Sequence, residues 1–198
     1  MAPTIRLAVS ADAAALLDIY APVVRSTAIS FEEEPPSSKE LAKRVERTLE
    51  SFPWLVCENE SKIHGYAYAT KHRSRAAYRW WVETSVYVDP EVRRSGVGQG
   101  LYLSLFEVLK LQGFVVALAG ITLPNPPSVH LHEAVGFEPL AVYHQVGFKL
   151  GAWRDVGWWQ RPLAPPPTSP SSPLPLASAA QSPDWSKSLQ TGLASLHI

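Results

Sequence analysis

The chain has 198 residues, with 18 Lys+Arg balanced by 18 Asp+Glu, a single Cys, 18 Pro and 46 % apolar residues. That length suits one domain of about 150 residues with an appendage. Zero net charge excludes a nucleic-acid binder driven by counterion release, and no run approaches the ~18 apolar residues of a membrane helix.

Met1-Ala2-Pro3-Thr4-Ile5-Arg6 shows no basic stretch followed by an apolar core, so no secretory leader is expected and the location predicted is cytoplasmic. Thr4 to Val9 alternates as a short strand ended by Ser10-Ala11-Asp12, which can cap a helix carrying Leu16, Leu17, Ile19, Tyr20 and Val23 at helical spacing. Pro35-Pro36 breaks the chain, and Ser37 with Glu40 forms a capping box for a second helix reaching about Leu49. Trp54–Cys57 and Ile63–Thr70 read as strands joined by a polar turn. Val82–Val88 is another strand, closed by Asp89-Pro90. Gly96-Val97-Gly98 leads into a helix with Leu101, Leu105, Val108 and Leu109 on one face. Val115–Ile121 is the next strand, and Pro127–Val135 a helix with Pro in its first turn and Gly136 at its end. Strands through Ala141-Val142-Tyr143 and Asp155–Gln160 complete an α/β (α+β) domain, a mixed sheet flanked by helices.

The composition changes after Leu163. Residues 164–198 hold 7 Pro and 8 Ser but only Asp184 and Lys187 as charges, so the expectation is a domain at 1–163 and a disordered tail at 164–198. Leu189, Leu193 and Leu196 leave room for a short docking helix. The lone Cys57 has no disulfide partner, and no Cys/His cluster has zinc spacing, so no metal is expected.

Arg93-Arg94-Ser95-Gly96-Val97-Gly98 lies between a strand and a helix. Such a turn is either simply tight or a cradle whose free N–H groups and helix dipole suit phosphate oxygens. No Gly-Lys-Ser/Thr follows, which excludes a Walker A loop, and Gly-x-Gly-x-x-Gly is absent. Arg93-x-x-Gly96-x-Gly98, after Ser85-Val86-Tyr87-Val88, resembles the acyl-CoA diphosphate loop of the GNAT superfamily of N-acetyltransferases. Asn125-x-x-Ser128-x-x-Leu131-His132-x-x-x-Gly136-Phe137 is similar to that superfamily's next block. Within it, Val82-Glu83-Thr84-Ser85-Val86-Tyr87-Val88, Leu123-Pro124-Asn125-x-Pro127-Ser128, Leu131-His132-Glu133-Ala134 and Gly147-Phe148-Lys149-x-Gly151-x-Trp153 resemble phosphinothricin and methionine sulfoximine N-acetyltransferases, over about Ile5 to Leu163.

The resemblance implies the GNAT fold, with six or seven strands and two splayed apart at the cofactor site. It implies acetyl-CoA as co-substrate, a small amino-acid-like acceptor, a homodimer, and resistance to a glutamine-synthetase inhibitor. Acetyl transfer needs a neutral amine, and the resemblance implies Glu83, between apolar neighbours, as the base, where the residues alone favour an edge-strand Glu facing solvent. His132 is implied as a proton-transfer group, acid or base, against the competing reading of a structural His hydrogen-bonded to a carbonyl. Val86, Tyr87 and Val88 would meet the thioester and pantetheine through their backbone. Arg93, Arg94, Ser95, Gly96, Val97 and Gly98 would hold the diphosphate, and Asn125 and Ser128 the cofactor arm, while also suiting helix capping. For the acceptor the candidates are Phe31, Arg73, Arg75 and Tyr78, the arginines as bidentate partners of oxyanions or as members of a solvated basic loop. Trp80-Trp81 departs from the family's polar loop and leaves the acceptor open, so another GNAT acceptor class or a silent acyl-CoA-binding module stands as the alternative.

Overall fold

Segments rich in β-branched and aromatic residues pair into one seven-stranded sheet in the computed structural model, which describes residues 2–198. The strands are β1 (Thr4–Leu7), β2 (Trp54–Asn59), β3 (Lys62–Lys71), β4 (Trp81–Val88), β5 (Val116–Leu123), β6 (Glu138–Lys149) and β7 (Ala152–Pro162). Their order is β1-β2-β3-β4-β5-β7-β6, antiparallel at every step except β4–β5. The sheet is covered on both faces, which is why Trp54-Leu55-Val56-Cys57 is an unbroken apolar run rather than an alternating one.

One face carries α1 (Ala13–Ser26) and α2 (Ser38–Leu49), whose Leu16, Val24, Leu41 and Val45 bury against Trp54, Val56 and Tyr66. Ser37 accepts from the Glu40 amide at the start of α2, as the capping box predicts. Asp12 caps differently from the expectation. Ser10–Asp12 form a 3-10 turn, the Asp12 carboxylate accepts from the Val9 amide, and Arg6 pairs with it at 2.7 Å. On the other face lies α3 (Val97–Gln112), packing Leu101, Leu105 and Leu109 onto Leu55, Ala67 and Val82. Gly65 lets α3 sit close, since a Cβ there would meet Val97 Cγ1 at 2.8 Å. α4 (Pro126–Ala134) follows β5.

The tail is not the disordered segment that its composition predicts. It forms α5 (Leu176–Ala179), α6 (Trp185–Gln190) and a 3-10 turn at Thr191–Ser195. Pro183 lies between α5 and α6, and the other six of the seven prolines precede these elements, in the extended approach. There the Trp80 indole N–H bonds to Ser171 O, Arg79 to Ser172, and the Leu174 amide to Gln112 O. Beyond them Leu189, Leu193, Leu196 and Ile198 pack into the same core as Ile5, Leu55 and Leu101, alongside α3. A few well-spaced leucines over an open groove outweigh an average composition that reads as disorder.

Lys149, on β6, is buried, with its ammonium donating to three carbonyls: Val24 at 2.7 Å, Ser30 at 2.6 Å and Glu32 at 2.7 Å. Burial pushes its pKa down, and the three acceptors use all of its protons. The bonds tie β6 to the connection after α1. Lys149→Met leaves three inward carbonyls unpaired, and should cost about 2–3 kcal/mol in urea denaturation. Unchanged stability would show that the connection is held elsewhere.

Candidate functional site

The parallel pair at the sheet's centre is short. β4 and β5 align only at Trp81–Glu83 with Val116–Leu118, and then diverge. Thr84 Oγ1 donates to Leu118 O at 3.0 Å in the crotch of this fork. Backbone polar groups alternate sides along a strand. The Trp80 carbonyl accepts from Val115 N on the β5 side, while Asp89 N donates to His64 O on the β3 side. Across the unbroken β3–β4 register, even-numbered residues of β4 therefore address the gap. The N–H groups of Val86 and Val88 open into the fork, whereas that of Tyr87 faces β3. The Tyr87 ring instead packs against Tyr20 and Tyr66.

A cavity of about 540 Å³ opens at this fork. Tyr68, Thr70, Glu83 and Ser85 line it from β3 and β4, Gly120 and Thr122 from β5, and Tyr143, Val146, Val156 and Trp158 from β6 and β7. Ile29 and Phe31 come from the connection that Lys149 ties down, and Phe31 lies so close over Gly147 that a Cβ there would meet its ring at 2.3 Å. The Trp158 ring lies over Gly120 at ordinary contact distance. Among the lining residues Glu83 alone carries a charged side chain. It is half-buried, not enclosed as its apolar neighbours in sequence suggest, and its Oε1 lies 2.8 Å from His72 Nδ1. Tyr78 meets the His72 ring edge-on at 6.0 Å.

A second depression of about 690 Å³ lies elsewhere, among Arg6, Asp12, Glu58, Lys62, Asp89 and Glu91. Its charges already pair with one another, Arg6 with Asp12 and Glu58, Lys62 with Asp89 and Glu91.

Between Ser95 and Gln99, no backbone N–H of the described chain has an intramolecular acceptor. Arg94 (φ 65°) and Gly96 (φ 79°) both adopt the left-handed conformation that shapes this loop. Arg93 and Arg94 are exposed and make no ion pair among the described residues. Val97 buries against Gly65, and Gly98 lets α4 approach, with Leu131 2.9 Å from where a Cβ would stand. Asn125 caps α4, accepting from the Ser128 amide at 3.3 Å.

His132 makes the carbonyl hydrogen bond of its structural reading. It is buried, and both ring nitrogens are engaged: Nδ1 lies 2.7 Å from Ser128 O, and Nε2 2.8 Å from the Tyr102 hydroxyl. A carbonyl only accepts, so Nδ1 carries the proton and Nε2 accepts from Tyr102. Burial pushes the His132 pKa below its usual 6.5. It does not line the cavity, and its geometry is that of a neutral residue joining α4 to α3. Arg73, Arg75 and Tyr78 stand apart from the cavity. All three are exposed on the β3–β4 loop, and none lines the cavity. Tyr68, Thr70, Ser85 and Thr122 were missed, although the pairing of Tyr68 with Ser85 and of Thr70 with Glu83 follows once β3 and β4 are aligned. His72 had no signal beyond its place in a basic loop.

Comparison with known proteins agrees with this geometry. The acetyltransferase (GNAT) domain family model matches residues 5–158. A phosphinothricin N-acetyltransferase of Streptomyces viridochromogenes is 41% identical over 171 residues, 86% of this chain and 93% of its own. A methionine sulfoximine/methionine sulfone acetyltransferase of Salmonella typhimurium is 37% identical, covering 81% of this chain and 94% of its own. The crystal structure of a Sinorhizobium meliloti phosphinothricin acetyltransferase in complex with acetyl-CoA superposes with a TM-score of 0.81 at 38% identity, over 86% of this chain and 94% of that one.

Because His132 is held neutral with a lowered pKa, the unfolded chain binds a proton there that the folded chain refuses. Its contribution to stability is complete above pH 6.5 and shrinks as the pH falls below that value, by at most about 1.4 kcal/mol per pH unit. Denaturation midpoints measured from pH 7.5 to 5 should therefore fall less steeply in His132→Gln than in the wild type. Equal slopes would mean that the imidazole is not kept neutral.

Proposed function

From the premise that the chain belongs to the GNAT acetyltransferase family, and is an acetyl-CoA-dependent N-acetyltransferase of the phosphinothricin and methionine sulfoximine type, we propose that it acetylates the amino group of a small amino-acid-like acceptor by direct attack, with Glu83 as general base. The observation that carries this reading is the position of Glu83, the one charged side chain on a cavity that opens at the fork between β4 and β5.

The residues present fit acetyl-CoA. Unpartnered amides from Ser95 to Gln99 beside exposed Arg93 and Arg94 suit a diphosphate. Asn125 and Ser128 would flank the arm from α4, where Asn125 caps the helix and the Ser128 hydroxyl lies 3.4 Å from His132 Nδ1. When bound, acetyl-CoA supplies an activated acyl group. The Val86 and Val88 amides in the fork are the donors for the thioester oxygen and a pantetheine carbonyl.

An α-amino group arrives mostly protonated near neutral pH, and Glu83 would take one proton so that the nitrogen lone pair can attack the thioester carbonyl. The C–S bond then breaks, and the CoA thiolate leaves with the second proton shed by the nitrogen, as the free thiol. His72 engages only Oε1, which leaves Oε2 for the amine. Phe31 and Trp158 wall the acceptor, with the hydroxyls of Tyr68, Thr70, Ser85 and Thr122 around it. Tyr102 and His132 act as positioning residues, fixing α4 against α3. In herbicide terms, turnover of phosphinothricin would confer resistance.

Glu83→Gln should lower kcat by about 10²–10⁴-fold, while the dissociation constant of acetyl-CoA, measured by calorimetry, stays the same. A kcat unchanged in the variant would remove Glu83 from the base role.

We also read the chain as a homodimer. Val142, Val146, Phe148, Leu150 and Trp153 on the β6–β7 hairpin are 44–61% exposed, an apolar face of the kind that marks an interface. A second copy over the hairpin would also complete the cavity wall at Tyr143 and Val146. Sedimentation should give a dimer for the wild type and a monomer for Trp153→Glu combined with Phe148→Glu. A wild-type monomer at micromolar concentration would overturn this reading.

A further inference from the structure

The C-terminal segment ends on the loop assigned to the acetyl-CoA diphosphate. Ser104, fully buried on α3, donates its hydroxyl proton to Leu189 O at 2.7 Å and accepts from the Gly192 amide at 3.0 Å. Gly192 lies directly on Gly100: a Cβ at Gly192 would stand 1.8 Å from Gly100 O. One helical turn earlier, Ser195 O fills the place of a Cβ on Gly96, 1.6 Å from where it would be. The His197 amide then donates to Ser95 O at 2.8 Å. Gly96, Gly100 and Ser104 thus form one stripe of α3, and the tail occupies all of it.

That stripe is not the side facing α4. At about 100° per residue, Gly98 points roughly opposite to Gly96 and Gly100, and it is Gly98 that meets Leu131 of α4. The segment therefore braces the flank of α3 away from α4, where Asn125 and Ser128 stand. It also uses a carbonyl of the loop and none of the amides. In a trans peptide C=O and N–H point in opposite directions. With Ser95 O turned to His197, the Gly96 N–H is turned away from the tail. Ser95 sits between two left-handed residues, Arg94 and Gly96, so this peptide is the one whose rotation would scatter the cradle.

We propose that the C-terminal segment is a positioning element for the cofactor loop, holding the Ser95–Gly96 peptide so that the loop's amides converge on the diphosphate of acetyl-CoA. The inference rests on the acetyltransferase reading above and assigns a role to residues outside the matched family domain, which ends at 158.

Steady-state kinetics on the full-length chain test it, with three variants. His197→Pro deletes the N–H that holds Ser95 O and leaves the rest of the segment seated. Gly192→Val unseats the segment from Gly100. His197→Ala keeps the backbone N–H as the conservative control. The KM for acetyl-CoA should rise about 5–10-fold in His197→Pro, the worth of one such hydrogen bond, and further in Gly192→Val. Both should keep kcat within about twofold and the acceptor KM unchanged, as expected when only cofactor binding is disturbed, and His197→Ala should match the wild type. An unchanged KM for acetyl-CoA in both His197→Pro and Gly192→Val overturns the proposal. So does a lowered KM, which would make the segment an obstruction, and so does a parallel loss of kcat and both KM values, which would make it part of the fold alone. Absence of acetyl-CoA binding by the wild type would instead strike the function itself.

Discussion

The separation of β4 from β5 after three paired residues is the constraint on which the rest of the site depends. A strand in the middle of a sheet normally spends its amides on both neighbours, and leaving them unpaired inside a protein costs roughly what a lost hydrogen bond costs. Here the Val86 and Val88 amides are left without that ladder, in a gap that a carbonyl-bearing substrate can fill. The fork is held at its base by Thr84 on Leu118 O, and kept open on the far side because β5 pairs along its whole length with β7. Neither edge can relax toward the other without breaking a ladder already made.

Two layers of packing then determine what reaches the fork, and from which side. The α1 and α2 layer sends its following connection over the cavity, where Lys149 fixes it through Val24, Ser30 and Glu32. The carboxylate of Glu83 emerges on that side, beside His72. The α3 and α4 layer presents the opposite arrangement, amides and guanidinium groups with no carboxylate among Arg93–Gln99. In the proposed reading an anionic cofactor and a cationic amine would meet complementary surfaces on opposite sides of one strand, with the gap in the sheet as the place where their reacting atoms approach.

Much of this was legible in the sequence, for local reasons. The Ser37–Glu40 box, the turn at Gly96 and the cap at Asn125 depend on a few neighbouring residues, and the structure keeps all three. Glu83 and Phe31 were legible from the resemblance, and both line the cavity. What the sequence left undecided depended on distant partners. His132 reads equally as a proton carrier or a structural residue until Tyr102, thirty residues away in sequence, is found on its second nitrogen. Arg73 and Arg75 suit an oxyanion by type, but the 3-10 turn at Ala76–Tyr78 leaves their loop facing solvent. The 164–198 segment failed most completely, because composition averages over residues that act singly. Six of its prolines make the approach, and four apolar side chains with one glycine seat its end on α3.

That docking also changes how the glycines of α3 are to be understood. In a loop that approaches phosphates, Gly96 would be explained by its positive φ alone. Gly100 has helical geometry and no such reason, and glycine inside a helix costs about 1 kcal/mol relative to alanine. The closeness of Gly192 supplies the reason, since a Cβ at Gly100 would lie 2.6 Å from Gly192 O. Helix and tail approach backbone to backbone, and each needs the other to lack a side chain there. The same helix therefore serves two partners at once: Gly98 admits α4, while Gly96 and Gly100 admit the tail. With both flanks of its first turn clamped, α3 has its unpaired amides fixed in direction, and a fixed direction is what a binding site made of backbone dipoles requires.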